Sequence, residues 1–406
     1  MLEKNIEKRI YVSPYARTMR NGDVLIAGNF LGCGKWIKIP SKYYDFLVEC
    51  VNRNMRIKDI LQLCDSGYEY DFYNDLLKKL FEIEVFMFRK QENPTLKSVS
   101  IDLTSRCNLR CRHCSTSYGE IPSIDMEFDN LKRIIYWCKK NEIRDVTLTG
   151  GEIFLLDDIN EKLRWIRANF DGKIGIMTNG TLIRDEQISI LKETVDSVDI
   201  SLDGYDAVSV EKIRGSGVYD KVIRVIRKIN EKGMDKVGLS MVLTKENWDH
   251  ETEFIELCEE LGVNPVLRIF SPSGRARKFY SEFKNEVFSV DEKLDGLSFR
   301  AGCMAGYTGI SFFANGQIQP CSAMDNEKYK MGNLQNLLSG NLLMPNMKEW
   351  CIVDQIQGCS ECNVRYFCAS HCQSVNESVY YDEELRKERC RNRQRKLQEA
   401  VWNTRG

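Results

Sequence analysis

The stretch Cys107-Asn-Leu-Arg-Cys111-Arg-His-Cys114 limits what this chain can fold around more than any other feature. It follows Ser98-Val-Ser-Ile-Asp-Leu103, whose apolar and polar residues alternate as in a half-buried strand. Three thiols within eight residues, just past a strand end, form a claw too short for an ordinary disulfide framework. Such a claw can hold three irons of a four-iron, four-sulfur (4Fe–4S) cluster and leave the fourth iron without a protein ligand. Zinc and plain core cysteines are the alternatives. Zinc sites usually show paired C-x2-C knuckles and core cysteines keep no fixed spacing, so C-x3-C-x2-C fits neither well.

Composition narrows the setting. A chain of 406 residues, 43% hydrophobic, has enough apolar surface for two or three domains. Its formal net charge of -1 provides no field that would draw nucleic acid or an anionic membrane. The opening Met1-Leu-Glu-Lys-Asn-Ile-Glu-Lys-Arg alternates charge, unlike a secretory signal, and no apolar run is long enough to span a bilayer. A cytoplasmic, reducing location is therefore expected, and it makes the 16 cysteines metal ligands more readily than disulfides. Histidine is scarce: His113, His250 and His371.

The first ninety residues read as a small module. Strands are expected over Tyr11 to Thr18, Asp23 to Gly28 and Lys35 to Ile39, the first two joined at the turn signal Asn21-Gly22. Helices are expected over Tyr43 to Asn52, with Ser41 as N-cap, over Ile57 to Leu63, and over Tyr70 to Phe81. Glu84 to Phe88 returns as a wing strand, completing a winged helix-turn-helix pattern. A DNA reader would want a basic third helix, but Asp71 and Asp75 offset Lys78 and Lys79 there. The order also resembles the peptide-recognition element of enzymes that modify ribosomally made peptides. That resemblance implies a leader peptide added as a strand to the edge of the three-stranded sheet, with Lys35 to Ile39 as the receiving edge. A packing or dimerisation module is the plainer alternative. Cys33, Cys50 and Cys64 show no ligand spacing.

From Ser98 to about Leu297, strands alternate with helices. Further strands are expected over Val146 to Thr149, Lys173 to Met177, Ser197 to Leu202, Lys236 to Leu243 and Pro265 to Phe270. Between them lie helical runs over Phe128 to Lys140, Ile159 to Ala168, Asp185 to Lys192, Tyr219 to Glu231 and Trp248 to Leu261. Repeated right-handed βα units give a parallel sheet with its site at the C-terminal strand ends. Together with the cysteine spacing, this resembles the radical S-adenosylmethionine (SAM) superfamily, whose fold is a partial (β/α)6, TIM-like barrel. The resemblance implies that the open iron chelates SAM, which is cleaved reductively to methionine and a 5'-deoxyadenosyl radical.

The same resemblance assigns contacts at the strand ends. Gly150, Gly151 and Glu152, in Thr149-Gly-Gly-Glu152, would meet the SAM ammonium; outside this context the tripeptide is a common turn. Asn179, in Thr178-Asn-Gly180, follows the third strand and reads equally well as a plain turn. Ser201 and Asp203, in Ser201-Leu-Asp-Gly204, would bond ribose hydroxyls, and Arg214 would take the SAM carboxylate unless it is a surface arginine. His113, before the third cysteine, would lie near the adenine. Cys138 and Cys258 sit alone in helical runs and are expected in the core.

A second cysteine array fills the last third. Cys303 and Cys321 enclose Gly316-Gln-Ile-Gln-Pro, and Cys359-x2-Cys362-x5-Cys368-x3-Cys372 is followed by Cys390 within a basic helix, Glu383 to Trp402. Structural zinc accounts only for the first C-x2-C pair of the run. The order resembles the SPASM extension of radical SAM enzymes, which implies two auxiliary clusters. Cys359, Cys362, Cys368 and Cys390 would hold the outer one, and Cys303, Cys321 and Cys372 the inner one. A hydrophobic hairpin, Gly309 to Phe313 with Gln317 to Gln319, is expected between Cys303 and Cys321. No further cysteine lies between those two, so the inner site either takes Cys351 or stays open to a substrate thiolate. Ser370-His371 stands where a Gly-Gly usually precedes the last clustered cysteine of the family.

The expected division is residues 1–93 for peptide recognition, 97–297 for the barrel and 298–406 for the SPASM domain. The resemblance implies three 4Fe–4S clusters, SAM, a precursor peptide with a leader segment, and a reducing partner such as flavodoxin or ferredoxin. It implies a peptide maturase, the segments around Gly150 and Asn179 looking most like enzymes that form cysteine thioethers. Carbon–carbon cross-linking or another oxidative peptide modification are the rivals within that chemistry. An iron–sulfur regulator that places its winged module on DNA is the rival outside it.

Overall fold

A computed structural model describes residues 3–31, 34–90, 96–283, 297–300, 302–303, 305–324, 329–342, 353–354, 356, 358–368 and 383–403. In the N-terminal part, β1 (Tyr11–Val12), β2 (Ala16–Asn21), β3 (Val24–Asn29) and β4 (Trp36–Pro40) precede α1 (Ser41–Asn52), α2 (Ile57–Leu61), α3 (Gly67–Glu82) and β5 (Phe86–Met87). The expected first strand is split. Pro14 lies at the break, where a ring without an N–H cannot sustain a ladder. The two parts take different partners: β1 pairs antiparallel with β5, while β2-β3-β4 form an antiparallel sheet. Pro40, not Ser41, holds the N-cap position of α1, and Ser41 is its first helical residue without a capping bond. Ser66 caps α3 instead, accepting from the Glu69 N–H.

The barrel strands are β6 (Ser98–Asp102), β7 (Asp145–Thr149), β8 (Lys173–Thr178), β9 (Ser197–Ser201), β10 (Val237–Leu243) and β11 (Asn264–Ile269). The intervening helices are α4 (Phe128–Lys140), α5 (Ile159–Asn169), α6 (Asp185–Thr194), α7 (Ala207–Arg214), α8 (Val218–Glu231) and α9 (Glu251–Glu260). All six strands are parallel and lie side by side in chain order, each return strand beside its predecessor. Alternation decides their faces. Val99, Ile101, Val146, Leu148, Ile174, Ile176, Val198, Ile200, Leu239 and Met241 are buried beneath the helices in one large core. Val222, Ile226 and Ile229 of α8 sit at helical spacing in that core. The opposite, inner face is polar, with Ser100, Thr147, Gly175 and Ser197 in register across four strands.

The sheet does not stop at β6. The expected hairpin, seen as β12 (Gly309–Phe312) and β13 (Gln317–Gln319), adds to its edge, with β12 parallel to β6. Then β14 (Gly332–Asn333) makes a nine-stranded sheet. Strands on both sides of residue 297 therefore share one ladder. Near the C-terminus, helix Glu383–Gln398 continues into a π-helical turn, Glu399–Asn403. Among the described residues, no helix is long and apolar enough to cross a membrane.

Candidate active site

The cysteine loop leaves the C-terminal end of β6, and two glycines let a neighbouring loop press onto it. A Cβ on Gly150, at φ +136°, would lie 2.4 Å from the Thr104 carbonyl oxygen. One on Gly151 would lie 2.0 Å from that of Arg106 and 3.1 Å from Cys107 Cβ. This approach allows the Gly151 and Glu152 N–H groups to donate to those carbonyls at 2.8 Å. Only residues without a side chain fit that wall.

Each of the three sulfurs has a polar neighbour from the chain. The Leu109 N–H donates to Cys107 Sγ at 3.4 Å, Arg214 donates to Cys111 Sγ at 3.8 Å, and Cys114 Sγ lies 3.5 Å from Thr116 Oγ1. Burial nonetheless pushes the Cys107 thiol up, against the Leu109 N–H, and carries Cys111 up to about 11, against Arg214. The bare Cys107 and Cys111 thiols therefore favour their protonated forms, and a metal group binding there must displace those protons. Among the described residues no three His, Cys, Asp or Glu side chains are arranged around a single ion. The donor set of three thiols with their own N–H or O–H neighbours suits a thiolate-bound cluster.

Two buried carboxylates organise the strand ends. Glu152 accepts from the Phe154 N–H at 3.1 Å, the Asn179 N–H at 2.8 Å and the Thr178 hydroxyl at 2.8 and 2.9 Å. Burial raises it, and those three donors oppose the rise. Asn179 in turn donates to Asn108 Oδ1 at 2.9 Å and accepts from the N–H and hydroxyl of Thr181, tying β8 to the cysteine loop. Asp203 stands at φ +64°, a left-handed turn that aspartate tolerates. Its Oδ2 accepts from His113 Nε2 at 2.6 Å and from the Arg214 guanidinium, Nε at 2.6 Å; its Oδ1 accepts from the Val242 N–H at 2.7 Å. Burial would raise Asp203, but Arg214 and His113 more than reverse that and hold it well below the usual carboxylate range. Burial likewise lowers Arg214, and Asp203 outweighs it, so the guanidinium is raised.

The structure thus brings His113, Asp203 and Arg214 together beside Cys111, and Glu152 and Asn179 together beside Asn108. Both Asp203 oxygens are taken by the chain itself. His113 Nδ1 is buried with no hydrogen-bond partner among the described residues. Ser201 ends β9 half-buried, with the Ser240 hydroxyl at 3.5 Å. Arg275 was not among the residues expected from sequence. Its guanidinium, almost fully buried, donates to the carbonyls of Cys111 (2.9 Å) and Tyr118 (3.0 Å) and pairs with Glu120 at 2.7 Å. The Ala276 N–H donates to the Cys114 carbonyl at 3.1 Å, so the turn Gly274–Phe279 clamps the loop. Its signal was the cluster Ser271-Pro-Ser-Gly274 directly after the last barrel strand.

The second array is only partly in view. Cys359, Cys362 and Cys368 are half-buried against a core that includes Val364, Tyr366 and Phe367. Cys390 is exposed, and Cys303 and Cys321 are half-buried, their sulfurs 3.5 Å from the Ala305 and Ala323 N–H groups. Cys33, Cys351, Ser370, His371 and Cys372 lie outside the described residues. Cys50, Cys138 and Cys258 are buried without ligand partners in view, and Cys64 is half-buried.

Residues 101–258 match the model of the Radical SAM superfamily. The chain is 27% identical over 206 residues to a probable GTP 3',8-cyclase of Saccharolobus islandicus, covering 50% of this chain and 67% of that protein. It is 23% identical over 357 residues to the antilisterial bacteriocin subtilosin biosynthesis protein AlbA of Bacillus subtilis, covering 77% and 78%. Among solved structures, SuiB of Streptococcus suis bound to S-adenosylmethionine superposes with a TM-score of 0.53 at 17% identity, covering 91% of this chain and 96% of SuiB. SuiB bound to its precursor peptide SuiA gives 0.51 at 15% identity, covering 89% and 97%. At such identities the last two describe a shared fold.

Proposed function

Starting from a chain that contains a radical SAM domain, we propose that it modifies a ribosomally made precursor peptide by radical chemistry, forming a cysteine thioether. The observation that carries the reading is the loop Cys107–Cys114, pressed between the glycines of the β7 loop and the buried Asp203–Arg214–His113 cluster. Bound there, a 4Fe–4S cluster would supply the electron that splits SAM into methionine and a 5'-deoxyadenosyl radical able to take a hydrogen atom from the peptide. The chain's own groups would do the rest. Cys107, Cys111 and Cys114 would hold the metal group, and Gly150 and Gly151 would serve by letting the β7 loop close against the cysteine loop beside the SAM site. Arg214, fixed by Asp203, offers its remaining N–H groups to the SAM carboxylate. His113, fixed at Nε2 by the same carboxylate, would have its unpartnered Nδ1 left for the adenine. Asp203 accordingly serves as the brace for both residues, and Ser201 is left to meet the ribose.

Peptide as substrate draws support from the likeness to AlbA over 77% of the chain, from the fold shared with SuiB, and from the small N-terminal sheet. We assign that sheet to the leader segment. Cys359, Cys362, Cys368 and Cys390 are assigned to an outer auxiliary cluster, and Cys303, Cys321 and Cys372 to an inner one. Domain limits of 1–93, 97–297 and 298–406 go with this reading. The test is anaerobic reconstitution, reduction and addition of SAM. Production of 5'-deoxyadenosine and loss of two hydrogen atoms from a cysteine-bearing precursor are expected. Absence of 5'-deoxyadenosine under a strong chemical reductant overturns it.

A further inference from the structure

The inner face of the large sheet carries one charged pair that the SAM contacts leave unused. Asp199 on β9 and Arg268 on β11 meet across β10, the strand between them, with Arg268 Nη2 donating to Asp199 Oδ2. The β10 residue in register with Asp199 is Gly238, so no side chain rises from the middle strand at that level. The pair is incompletely bonded. Asp199 Oδ1 and Arg268 Nε are buried without a partner, and among the described residues no hydrogen bond leaves Arg268 Nη1. Yet 37% of the Arg268 side chain and 22% of the Asp199 side chain remain exposed. With Nε enclosed and Nη2 taken, Nη1 is the donor left for a ligand. The pair also stands next to the SAM site: Val242 is the register partner of Arg268, and its N–H donates to Asp203 Oδ1. Other cations beside this face are engaged or placed elsewhere. Arg214 is bound to Asp203, and Lys173 and Lys236 line a cavity at the opposite, N-terminal ends of the strands with Asp145 and Ser197.

We propose that Arg268 Nη1 binds a backbone carbonyl of the peptide residue that enters the barrel, with Asp199 as the residue that positions the guanidinium. The proposal rests on the reading of this chain as a peptide-modifying radical enzyme, and it names the group that recognises the peptide at its reacting end. Charge decides the class of acceptor. Asp199 and Arg268 together are neutral, so a carboxylate brought to Arg268 would be a second negative charge beside Asp199 without its own counter-ion. An amide carbonyl is a strong acceptor that brings no charge, and a guanidinium N–H donates to it in a charge-assisted bond. Such a contact reads the main chain, so it sets how deeply the peptide enters without selecting its side chains. Both residues sit on strands and not on loops, which holds the donor in place.

Two synthetic peptides serve as probes. Both are acetylated and built of Gly, Ala, Leu and one Cys; one ends in an amide and the other in a free carboxylate. Their binding to the reconstituted full-length chain with SAM, left unreduced so that no turnover occurs, is measured by calorimetry. The parent is expected to bind the amidated peptide at least as well as the acid. Arg268→Gln should weaken the amidated peptide about tenfold, the loss of one hydrogen bond from a charged donor, while its SAM affinity matches the parent's. Asp199→Asn keeps an oxygen for Arg268 but leaves the site cationic, so it should turn the preference toward the free acid. Phenylglyoxal labelling of the unaltered chain, read by mass spectrometry, is free of any folding effect: the amidated peptide should shield Arg268. Failure of the parent to bind either peptide, or a parent preference for the acid that Arg268→Gln abolishes, overturns the proposal. So does undiminished peptide binding by Arg268→Gln, an equal loss of SAM affinity, an unmoved preference in Asp199→Asn, or an unshielded Arg268. Failure of the underlying reading looks different: the reduced parent then forms no 5'-deoxyadenosine from SAM, whatever its affinity for the peptides.

Discussion

The two main sheets of this molecule are covered in opposite ways. The nine-stranded sheet buries one face under helices and keeps the other polar and partly open, with Ser100, Thr147, Asp199 and Ser201 on it. The three-stranded sheet is covered on both faces. Leu25 and Ala27 pack against α1, α2 and α3. Met19 and Ile26 pack with Phe299, Val353, Val364, Tyr366 and Phe367 from the far end of the chain. Trp36 on β4 meets Phe367 edge-on at 5.1 Å and donates to the Leu297 carbonyl at 3.0 Å. Arg17 of β2 and Arg365 share the Asp354 carboxylate, at 3.1 and 2.9 Å. The large sheet is a vessel whose open side can carry chemistry. The small one is a wall, and its second face is part of the packing of Cys359, Cys362 and Cys368.

The largest expected effect belongs to the open side. Changing Cys107, Cys111 and Cys114 together to alanine should abolish 5'-deoxyadenosine production while leaving circular dichroism and the melting profile close to the parent's. Thiols on a half-buried loop contribute little packing, so chemistry and fold should separate here. Residual SAM cleavage by that variant would move the reactive centre elsewhere.

Fold and packing should not separate in the small sheet. Phe299 is fully buried, its ring filling the space over Gly28, where a Cβ would come within 2.6 Å. Phe299→Ala should cost about 3–5 kcal/mol, and Gly28→Val should be destabilising by forcing the same ring out. Both are read by urea or thermal unfolding. Excision of residues 1–89, which a boundary near residue 93 invites, should expose Phe299, Tyr366 and Phe367 and give an aggregating product. If that truncation stays monomeric and Phe299→Ala melts with the parent, the small sheet is an appendage and the contrast collapses.

That wall was not legible in the sequence, and the reason is distance along the chain. Period-two alternation and turn residues are local, so all six barrel strands are found within one or two residues of the expected limits. The short helix α7 escaped because its eight residues carry a weak apolar pattern. Joining β12 to β6, or Phe299 to Gly28, requires pairing residues hundreds apart, and alternation shows only that a strand has a buried face, not what covers it. The cysteine loop, the glycines and Asp203 were visible as motifs. That Asp203 spends both oxygens on the chain, and that Arg275 clamps the loop from 164 residues away, was not. A motif names a side chain but leaves its partners to the fold.

The smallest effect tests where the open face closes. Asp102 ends β6 on the inner side, is almost fully buried, and accepts from the Tyr118 hydroxyl. Burial pushes its carboxyl up to about 6, the Tyr118 hydroxyl acting against the rise. An unfolded aspartate releases its proton near ~3.9. Between those two values the folded chain holds more proton than the unfolded one, so stability falls as pH rises through that window. Below it both states are protonated and nothing is lost; above it the loss is complete, about 2–3 kcal/mol for a rise of roughly two units. Asp102→Asn removes the ionisation and keeps an oxygen that can accept from Tyr118. At about pH 7.5 the variant should therefore melt above the parent, and near pH 4 the gain should vanish. A gain that stays constant across pH would show that Asp102 is solvated in the folded chain, and the open face of the large sheet would then extend to the end of β6.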